Sequence, residues 1–239
     1  MNVYKLLNHP LEYIYKDLVK NGISVLDLGC LGFKHYKKAK ELNIVSKQYG
    51  VDYADPSENV PDDFVFKTAD LNKEGIPFDD DMFELVFAQH IIEHLVNPIE
   101  FVSEALRVCK PGGHVYIEAP SERALVLKGM SFNYDQFRSI SFFDDPTHFF
   151  RPWTAQSFFR LAQYFSCIPV RVGYIQLRIL NLFLPILLPI LKLLKKDGLY
   201  EGVIWAAKGW SSYIIIKKPL EVKGKPRFNY FYPASRLKK

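Results

Sequence analysis

The feature that most constrains this chain is an alternation of short apolar runs with polar, helix-forming stretches. Leu11, Ile14, Leu18 and Val19 share one face of a helix expected over residues 10–20, and Asn21-Gly22 stops it. Residues 23–28 then form a short apolar run that ends in a turn, as a buried parallel strand does. A basic helix is expected at about 34–42. Residues 49–52 close a second strand, 64–66 are a third and 83–88 a fourth. A helix at about 98–109 leads through the turn Lys110-Pro-Gly-Gly113 into a fifth strand at 114–118. After a long loop, residues 154–164 are helical. Strand-like runs at 168–176 and 203–217 finish the pattern. Such alternation specifies an α/β sheet, mostly parallel, with right-handed crossovers and helices on both faces.

Composition narrows the class. Apolar residues make up 49% of the chain, enough for a sizeable core, which excludes disordered and fibrous classes. Cys30, Cys109 and Cys167 are widely spaced and contain no CxxC, so neither a disulfide framework nor a zinc cluster is expected, and no metal ligand set is assigned. A reducing, cytoplasmic setting is expected, because acids and prolines interrupt the first 18 residues where a signal peptide needs an apolar run. The net charge of +5 is local. Residues 217–239 hold eight Lys or Arg and one acid, so this tail, with bounds set at 218–239, is the basic element. A nucleic-acid binder spreads charge over a working face, so nucleic acid is not the expected partner. The tail touches anionic lipid or RNA, or is simply solvated.

Parallel sheets bind ligands at the carboxyl ends of their strands, and the polar and glycine residues of this chain fall there. Asp27-Leu-Gly29-Cys-Leu-Gly32 ends strand one. Glycine permits a sharp turn and close backbone approach to a ligand, or it marks only a tight turn. Asp52 ends strand two, where a carboxylate can accept both hydroxyls of a ribose, or cap a turn; Asp55 competes for that role. Asp70 follows strand three and either accepts an adenine amine or caps a turn.

The ordered set VLDLGCLG (25–32), YGVD (49–52), TADLN (68–72), FELVFAQHIIEHL (83–95) and EALRVCKPGGHVYIEAP (104–120) resembles the class I S-adenosylmethionine-dependent methyltransferases, in particular the ubiquinone-pathway and polysaccharide-associated group. A looser similarity covers THFFRPWTAQSFFRLA (147–162). The resemblance implies a Rossmann-like, doubly wound, seven-stranded sheet with an antiparallel last strand, formed by the whole chain as one domain. It implies S-adenosyl-L-methionine as cofactor. Asp27 and Gly29 would contact its methionine end, Asp52 the ribose, and Asp70 and Leu71 the adenine. Ala88 and Gln89 would lie along the methionine. The chain departs from the family's D-x-G-x-G-x-G: Leu31 and Phe33 replace the second and third glycines, with Gly32 between them as the residue of close approach in a shifted loop.

Methyl transfer asks mainly for alignment and exclusion of water. A base is needed where a hydroxyl must lose its proton, and histidine suits that role. His148, in DDPTHFFR (144–151), is the first candidate base, and His90, directly after strand four, the second. His94 and Glu93 fit a mostly structural consensus. His35 reads as a surface helix residue. Arg151 either binds an anionic acceptor or pairs with Asp144 or Asp145.

Two segments exceed the minimal fold. Residues 120–153 form a long loop that leaves strand five on the ligand side and contains Phe132, Tyr134, Phe137, Phe142, Phe143, Phe149, Phe150 and Trp153. Long ordered loops are usually functional, so this one is expected to build the acceptor pocket. Residues 177–196, within an apolar helical insert at 177–200, hold an apolar stretch broken by Pro185 and Pro189, too short to span a bilayer. Lysines follow at 192, 195 and 196. This segment is expected to dock on an anionic membrane, pair with a second copy in a homodimer, or cover the acceptor. The acceptor expected is a hydroxyl of a small molecule or glycan, free or lipid-linked, and the setting cytoplasmic, with peripheral attachment at the inner membrane face as an option. The rivals are a Rossmann-type oxidoreductase, which lacks its G-x-G-x-x-G here, and a non-catalytic membrane-associated scaffold on a decayed methyltransferase fold.

Overall fold

A computed structural model describes residues 9–56, 60–127 and 140–221. Phe132, Tyr134 and Phe137 of the expected acceptor loop, and the basic tail beyond residue 221, lie outside the described residues. The strands are β1 (Ser24–Leu28), β2 (Lys47–Asp52), β3 (Phe64–Thr68), β4 (Phe83–Gln89), β5 (Cys109–Pro120), β6 (Ile168–Tyr174) and β7 (Ser211–Lys217). They form one sheet in the order β3-β2-β1-β4-β5-β7-β6. The pairs β1–β2, β1–β4, β2–β3 and β4–β5 are parallel, while β7 is antiparallel to both β5 and β6. This is the Rossmann-like α/β sheet that the alternation specified.

The helices are α1 (Pro10–Tyr13), α2 (Lys34–Glu41), α3 (Pro98–Val108), α4 (Ala155–Tyr164), α5 (Leu180–Leu193) and α6 (Asp197–Lys208). Strand side chains alternate between two buried faces, which is why the runs read as continuously apolar. Leu26, Leu28, Val86, Ala88, Val115, Ile117, Ile214 and Ile216 pack against α3 and α4 through Phe101, Val102, Ala105, Phe158 and Leu161. On the other face Val25, Leu85, Phe87, Tyr116 and Ile215 meet Leu11, Ile14 and Val19. Asn97 caps α3 by accepting from the Glu100 N–H, and Thr154 and Ser157 close a capping box on α4.

Several expectations need correction. The first helix is short: after Tyr13 the chain winds as a π turn over Ile14–Leu18 and leaves it extended at Val19. The fifth strand begins at Cys109 rather than after Lys110-Pro-Gly-Gly113, because Cys109 pairs with Phe83 across an irregular register. Residues 203–208 are helical, not strand: α6 runs to Lys208, and Gly209 closes it in the left-handed conformation (φ 72°). His35 is buried, not a surface residue. Its ring stacks on Phe87 at 3.8 Å, with a 2.6 Å hydrogen bond between Nδ1 and the Tyr15 hydroxyl.

The insertion between β6 and β7 is a helical hairpin. It is anchored where β6 ends: the Leu177 N–H donates to the Ala206 carbonyl, and Gln176 and Asn181 both donate to that of Ala207. β6 runs parallel to β1, so this hairpin stands at the carboxyl edge of the parallel strands.

Candidate active site

The carboxyl edge of β1, β2 and β4 collects the predicted cofactor residues. The chain leaves β1 at Gly29 (φ 76°), reaches Gly32 (φ 83°) and enters α2 from Phe33, which is itself left-handed (φ 51°). A bulky residue there is unusual. Phe33 is held by burial with Cys30 and by an edge-on contact with Phe64 at 5.0 Å. Leu31 does not need a glycine's freedom, since it is outside the left-handed region; its side chain is exposed and its N–H donates to Asp52 Oδ2 at 3.2 Å. A Cβ added at Gly32 would meet nothing within 4 Å, so open space lies over the loop. The missing consensus glycines are therefore replaced by a turn shifted one residue along.

Asp27 and Asp52 are both buried beside this loop. No hydrogen bond from a described residue reaches the Asp27 carboxylate. Burial first, and Asp52 beside it, hold the Asp27 carboxyl well above its ordinary range, although Lys34 opposes this. Lys34 spans the loop to donate to Gln89 Oε1 at 3.2 Å. Asp70 and Leu71 lie on the rim after β3. Asp70 pairs with Lys73 at 2.8 Å and accepts the Asn72 N–H, and both hold its carboxyl below the usual range. Ala88 is buried at the end of β4.

Beyond Gln89 the site changes character. Glu118, buried at the end of β5, accepts from Gln89 Nε2 at 2.7 Å, from His90 Nε2 at 3.1 Å and from the Tyr116 hydroxyl. His90 Nδ1 faces Glu93 at 3.4 Å. Burial opposes the imidazolium, yet the two carboxylates outweigh it and raise the His90 pKa to about 10. Burial likewise opposes the Glu118 carboxylate, and His90 overrides it, bringing the carboxyl down to about 2. Both ring nitrogens of His90 thus donate, which leaves no lone pair for a proton. Its backbone is left-handed (φ 55°), pinned by its N–H to the Glu118 carbonyl. Trp210, just before β7, lies 5.5 Å from the His90 ring and stacks on Trp205 of α6 at 4.6 Å.

His148 stands apart from His90, in the strap that follows a single 3-10 turn at Phe142–Asp144. The Phe149 and Phe150 N–H groups donate to the Glu93 carbonyl, which binds the strap to the turn after β4. His148 Nδ1 lies 2.7 Å from the Phe142 carbonyl, and its ring is 4.9 Å from that of His94. Arg151 pairs with neither Asp144 nor Asp145; its guanidinium lies 5.9 Å from the rings of Phe150 and Trp153. The sequence reading missed Glu118, Lys34 and Trp210. Glu118 had a signal, a carboxylate at the ligand end of an apolar strand. Trp210 had none, because His90 and Ile140, which it meets, are distant in sequence.

Comparison with known proteins agrees with this geometry. Residues 26–117 match the family model described as a methyltransferase domain. No curated protein matches the sequence. Among solved structures, a complex between the Haloferax volcanii Trm112 methyltransferase activator and a putative methyltransferase is similar over 91% of this chain and 92% of that one, at 15% identity and a TM-score of 0.59. An S-adenosylmethionine-dependent methyltransferase from Archaeoglobus fulgidus is 19% identical, with coverage of 91% and 95% and a TM-score of 0.56. Haemonchus contortus phosphoethanolamine N-methyltransferase 2, in complex with S-adenosyl-L-methionine, is 16% identical; 89% of this chain covers 52% of that one, with a TM-score of 0.57. At these identities the structural likeness is one of fold. The match to the methyltransferase domain spans the glycine loop, Asp52, Asp70 and Gln89, and the solved structures share the fold of S-adenosylmethionine-dependent methyltransferases.

Proposed function

We propose that this enzyme methylates a hydroxyl oxygen of a small molecule or glycan, and that the acceptor is lipid-linked and met at an anionic membrane surface. The observation that carries the reading is the α5–α6 hairpin. It rises at the cofactor edge of the sheet, reaches His90 through Trp205 and Trp210, and turns an apolar stripe to solvent. Leu182, Ile186, Ile190 and Leu193 lie along one face of α5 and are all exposed, Leu182 and Leu193 by 72% and 82%. Exposed lysines at 192, 195 and 196 end that stripe, and each such lysine near an anionic surface adds about 1 kcal/mol. Among the described residues no helix is long and apolar enough to cross a membrane, so α5 would lie in the interface.

The cofactor site fits S-adenosylmethionine on one particular: a buried Asp27 carboxylate without a hydrogen-bond donor suits a cationic ammonium, whose arrival would return Asp27 to its charged form. Asp27 and Gly29 would hold the methionine end, with Gly32 allowing close approach. Asp52 would take the ribose hydroxyls, giving up the Leu31 N–H. Asp70 and Leu71 would flank the adenine, and Ala88 and Gln89 would line the methionine. The cofactor supplies a methyl carbon made electrophilic by its sulfonium. His90, as an imidazolium between Glu93 and Glu118, would fix the far wall and position rather than accept protons. The acceptor proton then falls to the His148 side of the site, where a neutral ring donating Nδ1–H to Phe142 keeps Nε2 open. Trp205 and Trp210 would exclude water from the acceptor side.

Incubating the enzyme with methyl-labelled cofactor and a membrane lipid extract, then resolving products by mass spectrometry, tests the acceptor. A labelled lipid-linked alcohol or glycan is expected; label only in water-soluble amines would overturn the reading. Flotation with phosphatidylglycerol vesicles tests the surface. Salt-sensitive binding should vanish in Leu182→Asp/Ile186→Asp, and a salt-indifferent dimer disrupted by the same change would reassign the stripe to a second copy.

A further inference from the structure

We propose that Glu93, His94 and His148 form a divalent transition-metal site on the acceptor side of the sheet. One ligand atom from each of the three lies within 4.8 Å of the others. The inference rests on the proposed function above and deepens it, because it says how an acceptor hydroxyl would be bound and made acidic.

Three features make this more than proximity. First, Glu93 is 1% exposed, and its Oε2 is buried with no hydrogen-bond partner. A buried carboxylate oxygen without a donor is costly, and a cation removes that cost. His90 accounts only for Oε1. Second, both histidines are oriented as metal ligands are. His148 Nδ1 is taken by the Phe142 carbonyl at 2.7 Å. His94 Nδ1 is 3.1 Å from the Thr147 carbonyl and 2.9 Å from the Thr147 hydroxyl, which itself donates to Asp145 Oδ1 at 2.6 Å. In the neutral rings this leaves each Nε2 with its lone pair, held by an outer partner on the opposite nitrogen. Third, Asp145 Oδ2 stands 3.9 Å from His148 Nε2, a further oxygen within reach.

Two imidazoles and one or two carboxylates suit manganese, iron, cobalt or zinc in the divalent state better than magnesium or calcium, which prefer oxygen alone. Metal–ligand bonds of about 2.1 Å place ligand atoms roughly 3.0–3.4 Å apart, so binding would draw these three together by no more than about 1.8 Å. His94 and His148 belong to the two segments that the Phe149 and Phe150 N–H groups already bind together at the Glu93 carbonyl. A cation there would clip the acceptor strap to the cofactor sheet. With open positions left, it would also bind the acceptor's oxygen and lower its pKa, so that the proton leaves to solvent while the oxygen attacks the methyl carbon; His148 would then serve as a ligand in place of the base.

The test uses cobalt(II) as probe, with the full chain stripped by chelator and then dialysed. Wild type should take up one cobalt per chain, with visible d–d absorption and a raised melting temperature. His94→Asn, on a half-buried and therefore tolerant position, and His148→Gln should each weaken uptake at least roughly tenfold while S-adenosylmethionine affinity stays within about twofold. Absence of stoichiometric cobalt and of any thermal shift in wild type would overturn the site. So would uptake that is indifferent to both substitutions. Because none of these readouts requires methyl transfer, loss of the metal site and loss of the methyltransferase reading are separable: an enzyme that methylates a hydroxyl but ignores cobalt keeps the second and refutes the first.

Discussion

The two halves of the sheet reach the same edge by different routes. Between β1 and β4 the predicted cofactor residues rest mainly on local signals, a glycine turn four residues long and an aspartate at a strand end, with one long closure of Lys34 on Gln89, 55 positions away. Between β5 and β7 nearly every functional contact joins segments far apart. The His94 ring meets Thr147, 53 positions away; Trp210 Nε1 donates to the Ile140 carbonyl, 70 away; Ser121 donates to the Gly209 carbonyl, 88 away. The first half is a fixed receptacle. The second is a set of straps and hairpins held together by long-range hydrogen bonds.

Glu118 sits on the seam, so the largest effect should come from removing it. Glu118→Ala leaves the His90 imidazolium facing only Glu93 and strands Gln89 and the Tyr116 hydroxyl. Breaking a buried pair in this way costs about 3–5 kcal/mol. Denaturant unfolding should show that loss, and a variant as stable as wild type would dissolve the seam between the halves.

Next come substitutions that should separate the halves. Asp52→Ala removes a charged acceptor, and bonds of that kind are worth about 1.5–3 kcal/mol each, so cofactor affinity should fall at least tenfold by calorimetry. His148→Ala should leave cofactor affinity near wild type and lower turnover by roughly 10²–10⁴-fold. If both variants lost affinity equally, the division of labour would be wrong.

The pH dependence of stability sharpens the comparison further. Burial, with Lys34 adding to it, lowers the His35 pKa to about 3, below its unfolded value. Between pH 3 and about 6.5 the unfolded chain therefore binds the proton that the native state refuses, and stability falls with acid, by at most about 1.4 kcal/mol per pH unit. The His90 pKa is raised, so its contribution is present below about pH 6.5 and fades toward pH 10. Asp27, whose carboxyl is held above its ordinary range, works against the acid limb from about pH 4 upward, so the His35 contribution is read from unfolding free energies of wild type and variant compared from about pH 4 to 9. His35→Gln should flatten the acid limb and leave the alkaline one in place; an unchanged acid limb would refute the burial argument for His35.

Legibility in the sequence follows the same division. Strand runs and the Gly29–Gly32 turn were readable because their signals are local. Where two local signals competed, reading failed: the apolar content of residues 203–208 suggested a strand, whereas helix α6 and its Gly209 cap prevailed. His35 was misread because its burial depends on Phe87 and Tyr15, both distant in sequence. The Glu93–His94 pair was visible, but nothing in the spacing announces that His148 joins it. The shifted glycine turn predicts the smallest effect. Leu31→Gly, which restores the family spacing at an exposed residue, should change cofactor affinity by no more than about 0.5 kcal/mol, as surface substitutions do. A large gain would mean that the loop is an impaired version of the family's turn.

The central claim is that the carboxyl edge of β1, β2 and β4 holds S-adenosylmethionine across Asp27, the shifted glycine turn and Asp52. Calorimetric titration of S-adenosylmethionine into the wild-type chain tests it most directly. Saturable binding of one molecule per chain, weakened at least tenfold in Asp27→Asn, is the result expected. A wild-type chain that takes up no cofactor, or an Asp27→Asn variant that binds as tightly as wild type, would contradict it.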